Sequence, residues 1–259
     1  MSRDARWKAL LELLVEQGRL DVEEAATALD VSAATIRRDF DQLAEQQMLV
    51  RTRGGALVHG VSYELPLRYK TSRRAAEKRR ISTAVAALIS PGEAVGFTGG
   101  TTTTEVARAL AARPDLATGS PALTVVTNAL NIANELAIRP QFKIVVTGGV
   151  ARPQSYELIG PLAGGVLSQI TMDTAVLGVG AFDAAHGATA HDEDEAAINR
   201  LLCERAGRVV VAADSTKLGQ RAFARICATE QVDTLVTDAA VSDEMADRFA
   251  EAGVEVIRA

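Results

Sequence analysis

Apolar residues recur at helical spacing from Trp7 to Leu43, and the period then changes twice along the chain. Trp7, Leu10, Leu11 and Leu14 fall on one face of a helix expected over Asp4–Glu16, and Gly18 follows as the residue that ends it. Asp21 is placed to cap a short second helix with Val22, Ala25, Ala26 and Leu29 inward. Ser32 is a good cap for a third, in which Ile36, Phe40 and Leu43 form the apolar stripe. At about 100° per residue, the opposite face carries Ala34, Arg38 and Asp41, flanked by Thr35 and Arg37. After Gln46 the helical period stops. Two short apolar runs within Met48–Val58 surround Gly54-Gly55 and predict a β-hairpin with Arg51 and Arg53 near its tip.

Residues 61–80 are polar and arginine-rich, with Arg73, Arg74, Lys78, Arg79 and Arg80 in one cluster, which reads as a solvated linker running into a helix. From Ile81 onward, short apolar runs alternate with helical patterns. Strands are expected at Ala94–Phe97, Leu123–Asn128, Phe142–Val146, Thr174–Val179, Arg208–Ala213, Thr234–Thr237 and Val254–Ile257. Helices are expected over Glu105–Ala112, up to Ala137, near Glu193–Arg205 and over Asp243–Glu251. Val- and Ile-rich strands between helices predict a parallel sheet covered on both faces.

Composition refines this picture. The chain has 259 residues, 47% hydrophobic and 24% charged, which suits one large globular domain plus a small one. Its net charge of −5 conceals an asymmetry: residues 1–80 carry +3 and residues 81–259 carry −8. A mildly basic head on an acidic body fits nucleic-acid contact through the head alone. Cys203 and Cys227 form no metal or disulfide framework and are expected as buried, reduced thiols of a cytoplasmic protein. No signal-peptide pattern or membrane-length apolar run occurs.

Three short helices followed by a hairpin make a winged helix-turn-helix, with the third helix set to enter the major groove of double-stranded DNA. Arginines there suit guanine edges or phosphates, and small residues allow close approach. The expected DNA-contacting set is Ser32, Ala34, Thr35, Arg37 and Arg38 on the helix, with Arg51, Arg53, Gly54 and Gly55 on the wing. The run Thr35-Ile36-Arg37-Arg38-Asp39, together with Gly18, Val31-Ser32, Leu43, Arg51 and Gly54-Gly55, resembles the DNA-binding module of the DeoR family of bacterial transcriptional regulators. Phe40 replaces that family's usual leucine, and a glycine common near Gln47 is absent. Asp39 points closer to the packed side than Arg38 and reads as a salt-bridge partner, not a base reader.

In the second region the Gly-Thr run 99–104 follows a strand and opens a helix, an arrangement that cradles anions through backbone N–H groups, hydroxyls and the helix dipole. It lacks the Gly-Lys-Ser/Thr ending of a Walker loop. Thr127-Asn128, Gly148-Gly149 and the segment 214–217 lie at other strand ends, where open α/β sheets bind ligands. The motifs Glu77-Lys78, Gly100-Thr101-Thr102, Val126-Thr127-Asn128, Gly148-Gly149 and Asp214-Ser215-Thr216-Lys217-Leu218-Gly219 resemble the effector-sensing domain of the same family. That resemblance implies a Rossmann-like α/β fold shared with pentose-phosphate isomerases. It also implies a phosphate held by Gly100, Thr101, Thr102 and Thr103, with Lys217 supplying positive charge and Asp214 orienting hydroxyls. Thr127, Asn128, Gly148, Gly149 and Glu195 complete the expected effector set. Arg152 and Ser155 either reach the ligand or sit in a loop.

The expected organisation is a DNA-binding domain over residues 3–58, a linker over 59–75 and an α/β sensor over 76–259. The expected function is repression of a carbohydrate operon, controlled by a phosphorylated sugar, in a homo-oligomer without cofactor, metal or membrane. The rival is a sugar-phosphate isomerase with an accessory head. Against it, Phe182 interrupts Gly180-Ala181-Phe182-Asp183 where such enzymes carry a Gly-Ala-Asp-Glu segment. His186, His191 and the acidic run 192–195 match no zinc spacing, and acids at a helix start are ordinary dipole chemistry.

Overall fold

The computed structural model describes residues 1–46, 48–57, 67, 74–118 and 121–259. The chain divides into two compact units, Met1–Lys70 and Thr71–Ala259.

In the first unit, α1 (Arg3–Gln17), α2 (Val22–Leu29) and α3 (Ala33–Glu45) pack around one core. Ser2 and Ser32 cap α1 and α3 through their hydroxyls, and Gly18 ends α1 at φ 73°. Leu10, Leu11, Leu14, Ile36, Phe40 and Leu43 are fully buried, as the stripe requires. At about 1.5–3 kcal/mol per fully buried large apolar side chain, this stripe drives docking of the helices. Three short strands complete the unit: β1 (Arg19–Asp21), β2 (Val50–Arg51) and β3 (Gly55–Leu57), antiparallel in the order β1-β3-β2. The hairpin is therefore anchored by a third strand that the sequence pattern does not announce. The outer part of the expected hairpin, Val58, and most of the expected linker lie outside the described residues.

The second unit is built on a seven-stranded parallel sheet, made of β4 (Ala94–Phe97), β5 (Leu123–Thr127), β6 (Phe142–Val146), β9 (Met172–Leu177), β12 (Ala206–Ala212), β14 (Thr234–Thr237) and β15 (Glu255–Arg258). The order is β15-β14-β12-β9-β4-β5-β6. Along β12 the side chains alternate: Val210 and Ala212 join one core, Val209 and Val211 the other. The first core is closed by α4 (Ala75–Ala87), α5 (Thr101–Ala111) and α6 (Leu130–Ala137). The opposite face packs α7 (Pro161–Leu167), α8 (Glu193–Glu204) and α9 (Asp243–Glu251). Beside α8 lies a small antiparallel sheet of β10 (Ala181–Asp183), β11 (Gly187–Ala190) and β13 (Ala224–Cys227). A hairpin of β7 (Val150–Ala151) and β8 (Leu158–Ile159) follows β6.

From β4 the chain first adds β5 and β6 on one side, then returns to add β9 and β12 on the other. The reversal opens between the carboxyl ends of β4 and β9, where ligands enter sheets of this kind.

Candidate functional sites: a DNA-reading helix and a sheet-end crevice

On the first unit, Ser32 Oγ accepts the Thr35 N–H at 3.2 Å and lies 2.9 Å from the Thr35 hydroxyl. Both side chains thus serve the start of α3. Ala34, Arg37 and Arg38 are exposed. Arg37 pairs with Glu23 at 3.1 Å, but both partners are exposed, so the pair contributes little and breaks readily. Arg38 has no ion pair or side-chain hydrogen bond among the described residues, and neither has Arg53. Asp39 is buried and accepts from Arg6 at 3.0 Å and from Trp7 Nε1 at 2.8 Å, which ties α3 to α1. Hydrogen bonding to Asp39 raises the Arg6 guanidinium above its usual pKa and keeps it charged.

The wing departs from expectation at Arg51 and Gly55. Arg51 Nε donates to Asp41 at 2.7 Å, its Nη1 donates to the carbonyls of Thr52 and Gly55, and its guanidinium lies 5.6 Å from the centre of the Phe40 ring. This arginine clamps the wing to α3 through its Nε and Nη1 donors. Gly55 is buried, and a Cβ there would stand 2.2 Å from the Leu20 carbonyl, so glycine is dictated by the approach of β1. The Gly54 carbonyl accepts the Val22 N–H at 2.9 Å and helps start α2.

On the second unit, the crevice at the sheet reversal is lined by backbone. Thr98 Oγ1 accepts the Gly178 N–H at 2.8 Å and bridges the ends of β4 and β9. A Cβ on Gly178 would meet the Gly99 carbonyl at 2.7 Å. Gly100 adopts φ 131° and starts α5, which begins at Thr101, four residues before the expected Glu105. The threonines therefore form the first turn of the helix instead of a loop. Their N–H groups at Thr101, Thr102 and Thr103 have no carbonyl one turn back and form the positive end of the helix dipole. The hydroxyls split by role. Those of Thr103 and Thr104 donate to the Gly100 carbonyl at 3.1 and 2.6 Å, and the Thr103 side chain is fully buried. Thr101 is half-buried and Thr102 is buried at the turn's start.

Other expected residues surround this turn with unequal standing. Thr127 is buried; its hydroxyl donates to the Phe97 carbonyl at 2.9 Å and accepts the Ala129 N–H at 3.0 Å, so it stitches β5 to β4. Gly149, at φ 119°, would place a Cβ 2.7 Å from the Ile159 carbonyl, so it serves the β7–β8 hairpin; Gly148, at φ 75°, is exposed. Glu195 is buried and accepts from Arg152 at 2.8 Å, while Arg152 also pairs with Asp192 at 3.1 Å. Asp214 caps its own 3₁₀ turn by accepting the Thr216 N–H at 3.2 Å. Lys217, at the end of that turn, is half-buried with no ion pair or side-chain hydrogen bond among the described residues. Leu218 bridges to Phe182, which brings this turn beside the strand that follows Gly178. Asn128 is buried and donates to Glu157 at 3.0 Å and to Asn199 at 3.1 Å.

Residues 6–60 match the DeoR-like helix-turn-helix domain, and residues 73–239 match the DeoR C terminal sensor domain. The chain belongs to the DeoR family. It is 32% identical to the glycerol-3-phosphate regulon repressor of Escherichia coli (strain K12), over 92% of each chain. It is 33% identical to an HTH-type transcriptional regulator of Haloferax volcanii, over 97% of this chain and 96% of the relative. It is therefore a DNA-binding transcriptional regulator and not an enzyme. Among solved structures, ribose 5-phosphate isomerase A from Neisseria gonorrhoeae superposes with a TM-score of 0.39 and 14% identity, over 54% of this chain and 52% of that one.

In this DeoR-family chain, two polar residues beside the crevice escape the sequence reading. Glu157 is 4% exposed, and its carboxylate occupies the space directly over Gly99. Asn199 lies one turn after Glu195 on α8. Each had a signal: a lone acid before the apolar pair Leu158-Ile159, and an asparagine one helical turn after Glu195. Ser155 is buried, and its hydroxyl accepts the Glu157 N–H at 3.4 Å. His186 Nδ1 lies 2.8 Å from Asp183 Oδ1 and closes the β10–β11 turn. Cys203 and Cys227 are buried free thiols, and hydrogen bonding between them, with burial, pushes the Cys203 pKa up.

Proposed function

We propose that this regulator represses a carbohydrate operon from the cytoplasm and releases its operator when a phosphorylated sugar fills the crevice between β4 and β9. The exposed face of α3, with Ala34, Arg37 and Arg38, reads the major groove, and Arg53 on the wing holds phosphate or the minor groove. Two heads supplied by a homo-oligomer read a repeated or palindromic operator. In the crevice, the first turn of α5 takes the phosphate, and Lys217 adds a point charge.

The observation that carries the effector reading is the start of α5 at Thr101, directly after Gly100 and at the sheet reversal. Three orphan N–H groups at a helix start beside the sheet reversal support a phosphate there. The glycerol-3-phosphate regulon in the name of the Escherichia coli repressor agrees with phosphate chemistry. A calorimetric comparison of phosphorylated sugars with their free counterparts tests it. The phosphorylated member of a pair should bind at least about a hundredfold more tightly, roughly 2.7 kcal/mol. Equal affinity within every pair would show that the turn takes no phosphate.

A further inference from the structure

The chain coming from the DNA-reading head passes into α4 at Arg74. This residue precedes the helix in the left-handed region, at φ 49° and ψ 45°, where an arginine is sterically disfavoured. Its side chain makes no cap bond to the helix. The guanidinium reaches instead to the carboxyl ends of two sheet strands. Nη1 donates to Ser215 Oγ at 3.5 Å and lies 3.8 Å from Asp238 Oδ2, and Nε lies 4.0 Å from Asp214 Oδ1. Asp214 and Ser215 follow β12, and Asp238 follows β14.

The turn that Arg74 meets is held together without it. Asp238 Oδ2 accepts the Ser215 N–H at 2.7 Å, and its Oδ1 accepts the Ser215 hydroxyl at 3.0 Å and the Ala240 N–H at 3.1 Å. Burial alone would raise the Asp238 pKa, but these bonds, with the Arg74 charge, hold it below the usual carboxylate value, so it stays ionised. Asp214 Oδ1 accepts from the N–H and the hydroxyl of Thr216. The Arg74 side chain is 38% exposed and its ion pairs are long, so they contribute little to the fold and exchange readily. A strained backbone position tied by weak contacts to a turn of the expected effector set is the kind of feature found at switches.

We infer that Arg74 is the positioning residue that couples the two activities, sensing occupancy of the 214–217 turn and passing it to the chain that leads to the head. This rests on the effector reading above and deepens it. A phosphorylated sugar on that turn offers hydroxyl donors to Asp214, and these compete with Arg74 for the same carboxylate. A long, half-exposed ion pair yields to such competition. Once released, the arginine no longer has partners that favour the left-handed region, and the entry to α4 rearranges. The contact thus differs between the empty and filled states, which is what a ligand needs to shift an equilibrium.

The test uses the full-length protein with glycerol 3-phosphate, glucose 6-phosphate and fructose 6-phosphate as probes, calorimetry for probe binding and fluorescence anisotropy for operator binding. Arg74→Asn removes the guanidinium and keeps a residue that tolerates the left-handed region. It should melt near the wild-type temperature, bind operator within about threefold of the wild type and bind the probe within about tenfold. A probe that weakens operator binding by the wild type about 5- to 150-fold should change it less than about twofold in the variant. The reciprocal effect of operator on probe binding should vanish with it, which a merely structural loss would not produce. A larger response in folded Arg74→Asn overturns the inference and leaves the phosphate reading standing. So does outright loss of probe binding, since Arg74 would then be a ligand contact. If no probe binds the wild type, the phosphate reading fails and this inference with it. Should Arg74→Asn not fold, Arg74→Gln is read by the same criteria.

Discussion

Arg38 and Arg53 are both exposed and without an ion pair or side-chain hydrogen bond among the described residues, but they sit on different supports. Arg38 projects from a helix whose other face is locked by Ile36, Phe40 and Leu43, so its Cα is fixed relative to the core of the head. Arg53 sits in the short turn between β2 and β3. Base readout requires the first kind of support; phosphate contact tolerates the second. Arg38→Ala is expected to weaken operator binding by about 1–3 kcal/mol and to relax preference at one base position. Arg53→Ala should weaken all sequences evenly and lower the salt slope by about one. Titrations against operator and scrambled DNA at two salt concentrations check both. Unchanged operator affinity for Arg38→Ala would remove it from the reading surface. Arg51, which shares the wing, behaves differently because Asp41 and two carbonyls hold its Nε and Nη1 donors. Its substitution should loosen the wing before it weakens any DNA contact.

Between elements, the reading helix depends on Asp39. This buried carboxylate joins α3 to Arg6 and Trp7 of α1, and the side chains of Asp39 and Arg6 are 3% and 14% exposed. Removing it strands a largely buried guanidinium and an indole N–H. Asp39→Ala should therefore cost about 2–4 kcal/mol in the head. Differential scanning calorimetry of the full chain should show the head transition falling while the sensor transition stays. Loss below about 0.5 kcal/mol would make the pair a surface ion pair in effect. Asp39 is legible in the sequence because its position on the helix points toward the apolar stripe. The seven strands of the parallel sheet are legible too, since each is a short run of apolar and β-branched residues containing at least one Val. The strands β1, β10 and β11 are not: Arg-Leu-Asp, Ala-Phe-Asp and Gly-Ala-Thr-Ala carry little β-propensity. Their pairing is set by partners far away, such as β11 with β13, which no local window shows. The site divides in the same way. The Gly-Thr turn is local and readable. Glu157 reaches Gly99 and Asn128 only through folding, and the hydroxyls of Thr103 and Thr127 look free in the sequence but are spent on backbone in the structure.

At the scale of the whole molecule, a DNA-reading module and a ligand-binding module on one chain have regulatory value only if their equilibria are linked. The linkage is a coupling free energy of about 1–3 kcal/mol in typical switches, and it is reciprocal. An effector shifts operator affinity only through contacts that differ between the two states. Lys217, half-buried at the end of the 214–217 turn with its ammonium unpaired among the described residues, is suited to such a contact. The most direct measurement is operator affinity of the full-length chain, by fluorescence anisotropy, across saturating phosphorylated sugars and their unphosphorylated counterparts. At least one phosphorylated sugar should weaken operator binding by about 5- to 150-fold, its free counterpart should not, and Lys217→Ala should bind operator normally but lose the response. Operator affinity that no phosphorylated sugar changes, or that free sugars change equally, would contradict a phosphate-gated repressor.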